Sequence, residues 1–134
     1  MNVADPAHLL ANVALFRDLT FEQRAPLAAG SRPEQINRGE VLFRRGDTAV
    51  GMHVVVYGRI KLSFVSPGGM EKVIDIISPG ESFGEAVMFL EKPHVVTAQA
   101  LADTLLLFVP KEVVFERIDN DPQFARRMLG GLSR

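Results

Sequence analysis

Pro79-Gly80-Glu81-Ser82-Phe83-Gly84-Glu85-Ala86-Val87-Met88-Phe89, followed by Pro93-His94 and then Thr97-Ala98-Gln99-Ala100-Leu101, is the most informative stretch of this chain. A strand ends at a Pro-Gly turn, a small residue opens a one-turn helix, a carboxylate sits at the helix start, and a second strand returns past it. Unpaired N–H groups at a helix start make a ready site for an anion. Gly84 lets a ligand approach the backbone closely. An arginine normally completes such a site, and none occurs between Glu85 and Pro110.

The surrounding chain changes period twice. Leu9, Leu10, Val13 and Phe16 fall at helical spacing, Pro6 suits a first turn, and residues 6–29 read as helical. Thr20 followed by Gln23 resembles a capping box for a second short helix, which Gly30 ends. From Gln35 to Val109 short runs are punctuated by glycines, the mark of many short strands in a sandwich, jelly roll or roll. Ile60, Leu62 and Phe64 alternate with Arg59, Lys61 and Ser63, which predicts a half-buried strand. Ser66-Pro67-Gly68-Gly69 is a turn leading to a strand over Glu71–Ser78. Thr104 to Val109 is apolar on both faces and is expected at the centre of a covered sheet. After Pro110 the helical period returns: Lys111–Asn120 presents Val114, Phe115 and Ile118, and Pro122 restarts a helix carrying Phe124, Met128 and Leu132.

At 134 residues the chain is long enough for a sizeable core. With 47% apolar and 23% charged residues it is globular rather than disordered. A formal charge of −1, with basic residues scattered, argues against a nucleic-acid surface in this segment. The absence of cysteine excludes disulfides, thiolate catalysis, cysteine-ligated iron–sulfur clusters and cysteine-based zinc sites. No apolar run reaches transmembrane length and no signal peptide opens the chain, so a cytoplasmic location with no membrane contact is expected.

In this order and spacing, the pieces resemble one family. Asn37-Arg38-Gly39-Glu40-Val41-Leu42-Phe43 with Gly46-Asp47, then Val54-Val55-Val56-Tyr57-Gly58-Arg59-Ile60-Lys61-Leu62, then Phe83-Gly84-Glu85, look like the cyclic-nucleotide-binding fold. Specifically, they resemble the N-terminal effector domain of Crp/Fnr-type bacterial transcription regulators. The resemblance implies a mainly β fold with flanking helices, a double-stranded β-helix or jelly roll. It divides the chain into a β-roll effector domain over residues 1–120 and the start of a C-terminal dimerisation helix over 121–134. DNA is then reached only through a C-terminal domain absent from these residues. The family pattern implies a homodimer in the full-length protein. As this segment alone, a monomer or weak dimer is expected, because Gly130-Gly131 loosens the seam begun by Met128 and Leu132.

The resemblance also implies a small-molecule effector and a set of binding residues: Phe83, Gly84, Glu85, Ala86, His94, Val95 and Thr97. In nucleotide-binding members, Gly84 and Glu85 correspond to residues that bind through backbone N–H groups and, by the carboxylate, a ribose hydroxyl. The arginine that pairs with the cyclic phosphate corresponds to His94 in a gap-free register, or to Val95 or Val96 with a small shift. A bidentate arginine supplies two charge-assisted hydrogen bonds of ~1.5–3 kcal/mol each, so its loss should weaken cyclic-nucleotide binding by roughly a hundredfold or more. An unperturbed histidine is mostly neutral at pH 7. Without the arginine, Glu85 reads equally as a ligand contact or as a cap on the short helix. Met88 and Phe89 read as core.

The Ala98-Gln99-Ala100-Leu101 tail looks more like the Fnr and denitrification-regulator branch, which generally senses oxygen, nitric oxide or redox state. An iron–sulfur mechanism is excluded by the lack of cysteine. Haem is open as a cofactor, with His8, His53, His94 and the methionines as ligand candidates at no diagnostic spacing. His8 reads as exposed, His53 as a satisfied structural residue within a strand, and His94 as an exposed turn residue before a ligand group. Two enzyme readings are weaker. Gly80-Glu81-Ser82-Phe83-Gly84 fits G-x-S-x-G, but the α/β-hydrolase context is lacking. A cupin-type metal enzyme needs clustered histidines, which these are not.

Overall fold

In the computed structural model, which describes residues 5–132, eight strands form two antiparallel four-stranded sheets with helices at both ends. Helix α1 (Pro6–Ala11), a 3₁₀ turn (Ala14–Phe16) and α2 (Phe21–Gly30) come first. Then follow β1 (Arg32–Ile36), β2 (Val41–Phe43), β3 (Gly51–Tyr57), β4 (Ile60–Val65), β5 (Glu71–Ile77) and β6 (Ser82–Phe83). Helix α3 (Glu85–Leu90), β7 (Thr97–Ala100), β8 (Thr104–Pro110), α4 (Lys111–Asn120) and α5 (Pro122–Leu132) complete the chain. One sheet runs β1-β8-β3-β6 and the other β2-β7-β4-β5, the jelly-roll arrangement expected.

The sheets divide the apolar residues into two cores. Strand β8 lies between β1 and β3, which is why Thr104 to Val109 is buried along its whole length. Leu107 and Val109 face the helices with Leu10, Phe16, Phe124 and Met128, whereas Leu106 faces the second sheet with Phe43, Ile60 and Phe83. A strand shows alternate residues to opposite faces, so each buried residue of β8 serves one layer or the other.

Local chemistry sets the helix ends. At α2 the capping box is complete: the Gln23 amide donates to Thr20 Oγ1 at 3.2 Å and the Thr20 amide to Gln23 Oε1 at 2.9 Å. The first helix is shorter than its periodicity suggests, since Val13 and Phe16 belong to the 3₁₀ turn and its approach. Asp121 accepts from the Gln123 and Phe124 amides, both at 3.1 Å, and so starts α5.

Two expectations are corrected by packing. In β4 the alternation of faces holds, with Lys61 and Ser63 both bonded to Glu71 on one side, but the burial differs from expectation, since Ser63 is buried and Phe64 only half-buried. The bulge lies in β5, where Ile74 is the extra residue between Asp75 opposite Leu62 and Val73 opposite Ser63, while β4 keeps its register with β7. In α5, Met128 is only 5% exposed and belongs to the domain's own core, while Leu132 is 56% exposed. Gly131 explains the close seat of α5, because a Cβ there would fall 2.8 Å from the Ala14 carbonyl oxygen of the 3₁₀ turn.

Candidate functional site

Strand β6, α3 and the segment before β7 form one wall of a cavity of about 240 Å³. Gly84 joins β6 to α3 at φ +87°, a left-handed conformation that glycine adopts without strain. Helix α3 has only six residues and no side-chain cap. Its first turn already carries the Glu85 carboxylate, which complements the dipole at that end. Glu85 Oε1 accepts a hydrogen bond from the Ser82 hydroxyl at 3.0 Å, and Oε2 is buried with no partner. The G-x-S-x-G serine thus donates to a carboxylate at the edge of an antiparallel sheet, in a fold unlike that of the hydrolases.

His94 is a buried residue rather than an exposed turn, at 5% exposure. Its backbone is tied at both ends to the turn after β2: its amide donates to the Asp47 carbonyl at 2.9 Å and its carbonyl accepts from the Gly46 amide at 2.8 Å. That clamp lays the imidazole on Phe43, with ring centroids 3.5 Å apart and planes 8° from parallel. Burial pushes its pKa below the ordinary histidine value, against an opposing pull from Asp47. The ring lines the cavity.

His53, on β3 opposite Phe83 and Phe108, is 6% exposed and stacks on Phe83 at 5.1 Å. Desolvation, and then the nearby His94, push its pKa down to about 3. Its Nδ1 lies 3.6 Å from Glu34 Oε1, too far for a good hydrogen bond, and neither atom has a partner. The satisfied role expected of His53 is therefore only half met: the ring is packed but one nitrogen is not bonded. His53, Glu34, Arg32 and Phe108 face a smaller cavity of about 130 Å³. Phe43 and His94 line both cavities and form the partition between them.

Of the residues expected to bind a ligand, Phe83, Gly84, Glu85, Ala86, His94 and Val95 all line the larger cavity. Thr97 does not. It stands one register further along β7, opposite Ser63, and its hydroxyl accepts from the Arg45 amide at 3.1 Å. The far wall was not foreseen. Phe43, Leu62, Asp75 and Ile77 come from β2, β4 and β5, and only the sheet pairing brings them to α3. Asp75, a lone acid between Ile74 and Ile76, is the one sequence signal that could have pointed there. Among the described residues, no lysine or arginine lines this cavity.

His8 is exposed on α1, apart from both cavities. Among the described residues, no group of three or more His, Cys, Asp or Glu side chains is placed to hold a metal ion. None of their helices is long and apolar enough to cross a membrane.

Residues 33–121 match the cyclic nucleotide-binding domain family. The chain is 22% identical over 126 residues to the CRP-like cAMP-activated global transcriptional regulator of Mycobacterium tuberculosis, covering 94% of this chain and 56% of that protein. In structure it is similar to a cyclic nucleotide binding protein from Ruegeria pomeroyi, with a TM-score of 0.89 and 30% identity, covering 98% of this chain and 58% of that one. It is likewise similar to the sensor domain of the transcriptional regulator DNR from Pseudomonas aeruginosa, with a TM-score of 0.81 and 28% identity, covering 94% and 85% of the two chains. The chain spans about half the length of the curated regulators it matches.

Proposed function

Because the chain belongs to the cyclic nucleotide-binding domain family, we propose that it is the ligand-sensing domain of a Crp/Fnr-type transcription regulator that does not hold cyclic AMP in the usual way. The observation that carries this reading is the cavity lining. The position read as the phosphate-binding arginine holds His94, a buried imidazole kept neutral and stacked on Phe43, and the other charged groups around the cavity are Asp75 and Glu85. A cyclic phosphate placed there meets carboxylates, and like charges at close range disfavour binding. Among the described residues the basic side chain beside it, Arg45, lines the adjoining pocket that shares Val95 and Val96 rather than this one. The phosphate end of cyclic AMP does not fit these residues.

The domain acts by population shift: a ligand packed against Gly84, Glu85 and His94 favours one arrangement of α3 relative to the sheets and of the C-terminal helices beyond β8. In this reading the regulator is a homodimer whose helical contact begins in α5, with Leu129 and Leu132 rather than Met128 facing the partner. DNA contact belongs to a separate domain. Haem has less support, because its two buried ligand candidates are both held against aromatic rings, His94 on Phe43 and His53 on Phe83.

Thermal unfolding with and without cyclic AMP tests the proposal. A ligand present at 100 times its dissociation constant adds ~2.7 kcal/mol, a shift of several degrees for a domain of this size. No shift at ~1 mM cyclic AMP is expected. A clear shift returns the domain to ordinary cyclic-nucleotide sensing.

A further inference from the structure

The larger cavity carries two carboxylates in a mostly apolar lining. Glu85 Oε2 is buried there with no partner, its other oxygen already engaged by Ser82. His94 lines the same space at 5% exposure. Gly84, next to Glu85 in the chain, lies close to the ring: a Cβ on it would fall 3.7 Å from His94 Cε1. Asp75, whose Oδ1 accepts from the Ile76 amide at 2.8 Å, adds a second carboxylate to the lining. The remaining wall is mostly apolar, with Phe43, Leu62, Ile77, Phe83, Val87 and Val96.

A buried acceptor without a donor costs free energy until something supplies one. Glu85 as a carboxylate can only accept, and a neutral imidazole can accept at one nitrogen. The unpartnered carboxylate oxygen thus asks for a donor, while the imidazole offers a donor at its other nitrogen as well. An anion brings further acceptors to a place already negative, whereas an ammonium brings three donors and the opposite charge.

Resting on the reading of this cavity as the sensor's ligand site, we infer that its ligand is a compact apolar molecule ending in an amine, received by Glu85 and His94, and that anions are rejected. The apolar body lies along Phe43, Leu62 and Val96, and the ammonium donates to Glu85 Oε2. This assigns the cavity a class of effector chemically opposite to a cyclic phosphate.

Four probes separate the possibilities on the whole 134-residue chain: 2-phenylethylamine, 2-phenylethanol, phenylacetate and cyclic AMP, each titrated to ~1 mM with amide NMR shifts and thermal unfolding as readouts. The amine is expected to move the amides of Gly84, Glu85, Val95 and Val96, with the alcohol weaker and phenylacetate inert. Glu85→Gln, which keeps the shape and removes the charge, should weaken the amine about tenfold or more. Ala86→Trp, at an exposed position on the cavity rim, should block it without touching the core. Full amine affinity in E85Q overturns the inference. Phenylacetate or cyclic AMP moving the same amides, and blocked by A86W, overturns the ligand class while leaving the sensor reading intact. If none of the four moves these amides, both the inference and the assignment of this cavity fall.

Discussion

His94 lies face to face with Phe43, so that a residue from the approach to β7 closes against the last residue of β2. A flat cation can make the same contact, since guanidinium groups stack on aromatic faces. His94→Arg is therefore expected to fold and to gain cyclic AMP affinity, by about tenfold or more from the new charge-assisted bonds. Isothermal titration of the two proteins decides it. No gain would show that His94 is not the spatial counterpart of the phosphate-binding arginine.

Acid should destabilise the domain earlier than its carboxylates alone would. His53 has a folded pKa of about 3 against 6.5, so the unfolded chain binds more protons between those values and stability rises with pH across that window. As pH falls from 7 to 5 the loss from His53 alone comes to about 2 kcal/mol. His94 is shifted in the same direction and adds to it. Urea titrations from pH 7 to 5 measure the slope, which His53→Leu should flatten. An unchanged slope in that variant means His53 is not the group responsible.

Adjacent glycines in α5 should respond differently to the same substitution. Gly131→Ala drives a methyl toward the Ala14 carbonyl at 2.8 Å, with the Leu15 carbonyl next at 3.2 Å. Backbone cannot step aside as a side chain can, and overpacking of this kind costs about 1–3 kcal/mol. At Gly130 the nearest atom is the tip of Asp18, 3.3 Å away. Gly130→Ala should cost less, or even stabilise through helix propensity of up to ~1 kcal/mol. Denaturation midpoints in the opposite order would mean that α5 does not sit on the 3₁₀ turn as described.

Thr20→Ala removes one half of the α2 capping box and should cost about 1 kcal/mol. Thr20→Ser keeps the oxygen and should restore most of it. A denaturant series on the three proteins gives the comparison directly.

What could be read in the residues was local. The Thr20–Gln23 box, the covered strand over Thr104–Val109, the turn at Ser66–Gly69 and the Phe83-Gly84-Glu85 wall each depend on neighbours in sequence, and each is where the pattern puts it. What could not be read depends on distant pairing. Ser63 is buried on the outer face of β4, where its hydroxyl donates to Glu71 across on β5. His94 is buried because the turn at Gly46 and Asp47 binds its backbone on both sides. Phe43, Asp75 and Ile77 reach the cavity only once the second sheet is assembled. Gly131 read as a weakness in a helix, and its value lies in a contact with a turn at the other end of the chain.

Strand β5 ends its sheet, paired with β4 on one side and with no strand on the other, and it is exposed along all of its length except Ile77. Asp75 and Ile77 are the parts of that strand that close the cavity. An edge strand is released by breaking one ladder, whereas β8 and β3 at the centre are held on both sides. Segments with few buried contacts open at a fraction of the global unfolding free energy. Fraying at this margin opens one wall of the cavity while the double core stays intact, so the β5 amides are expected to exchange faster than those of β3 and β8.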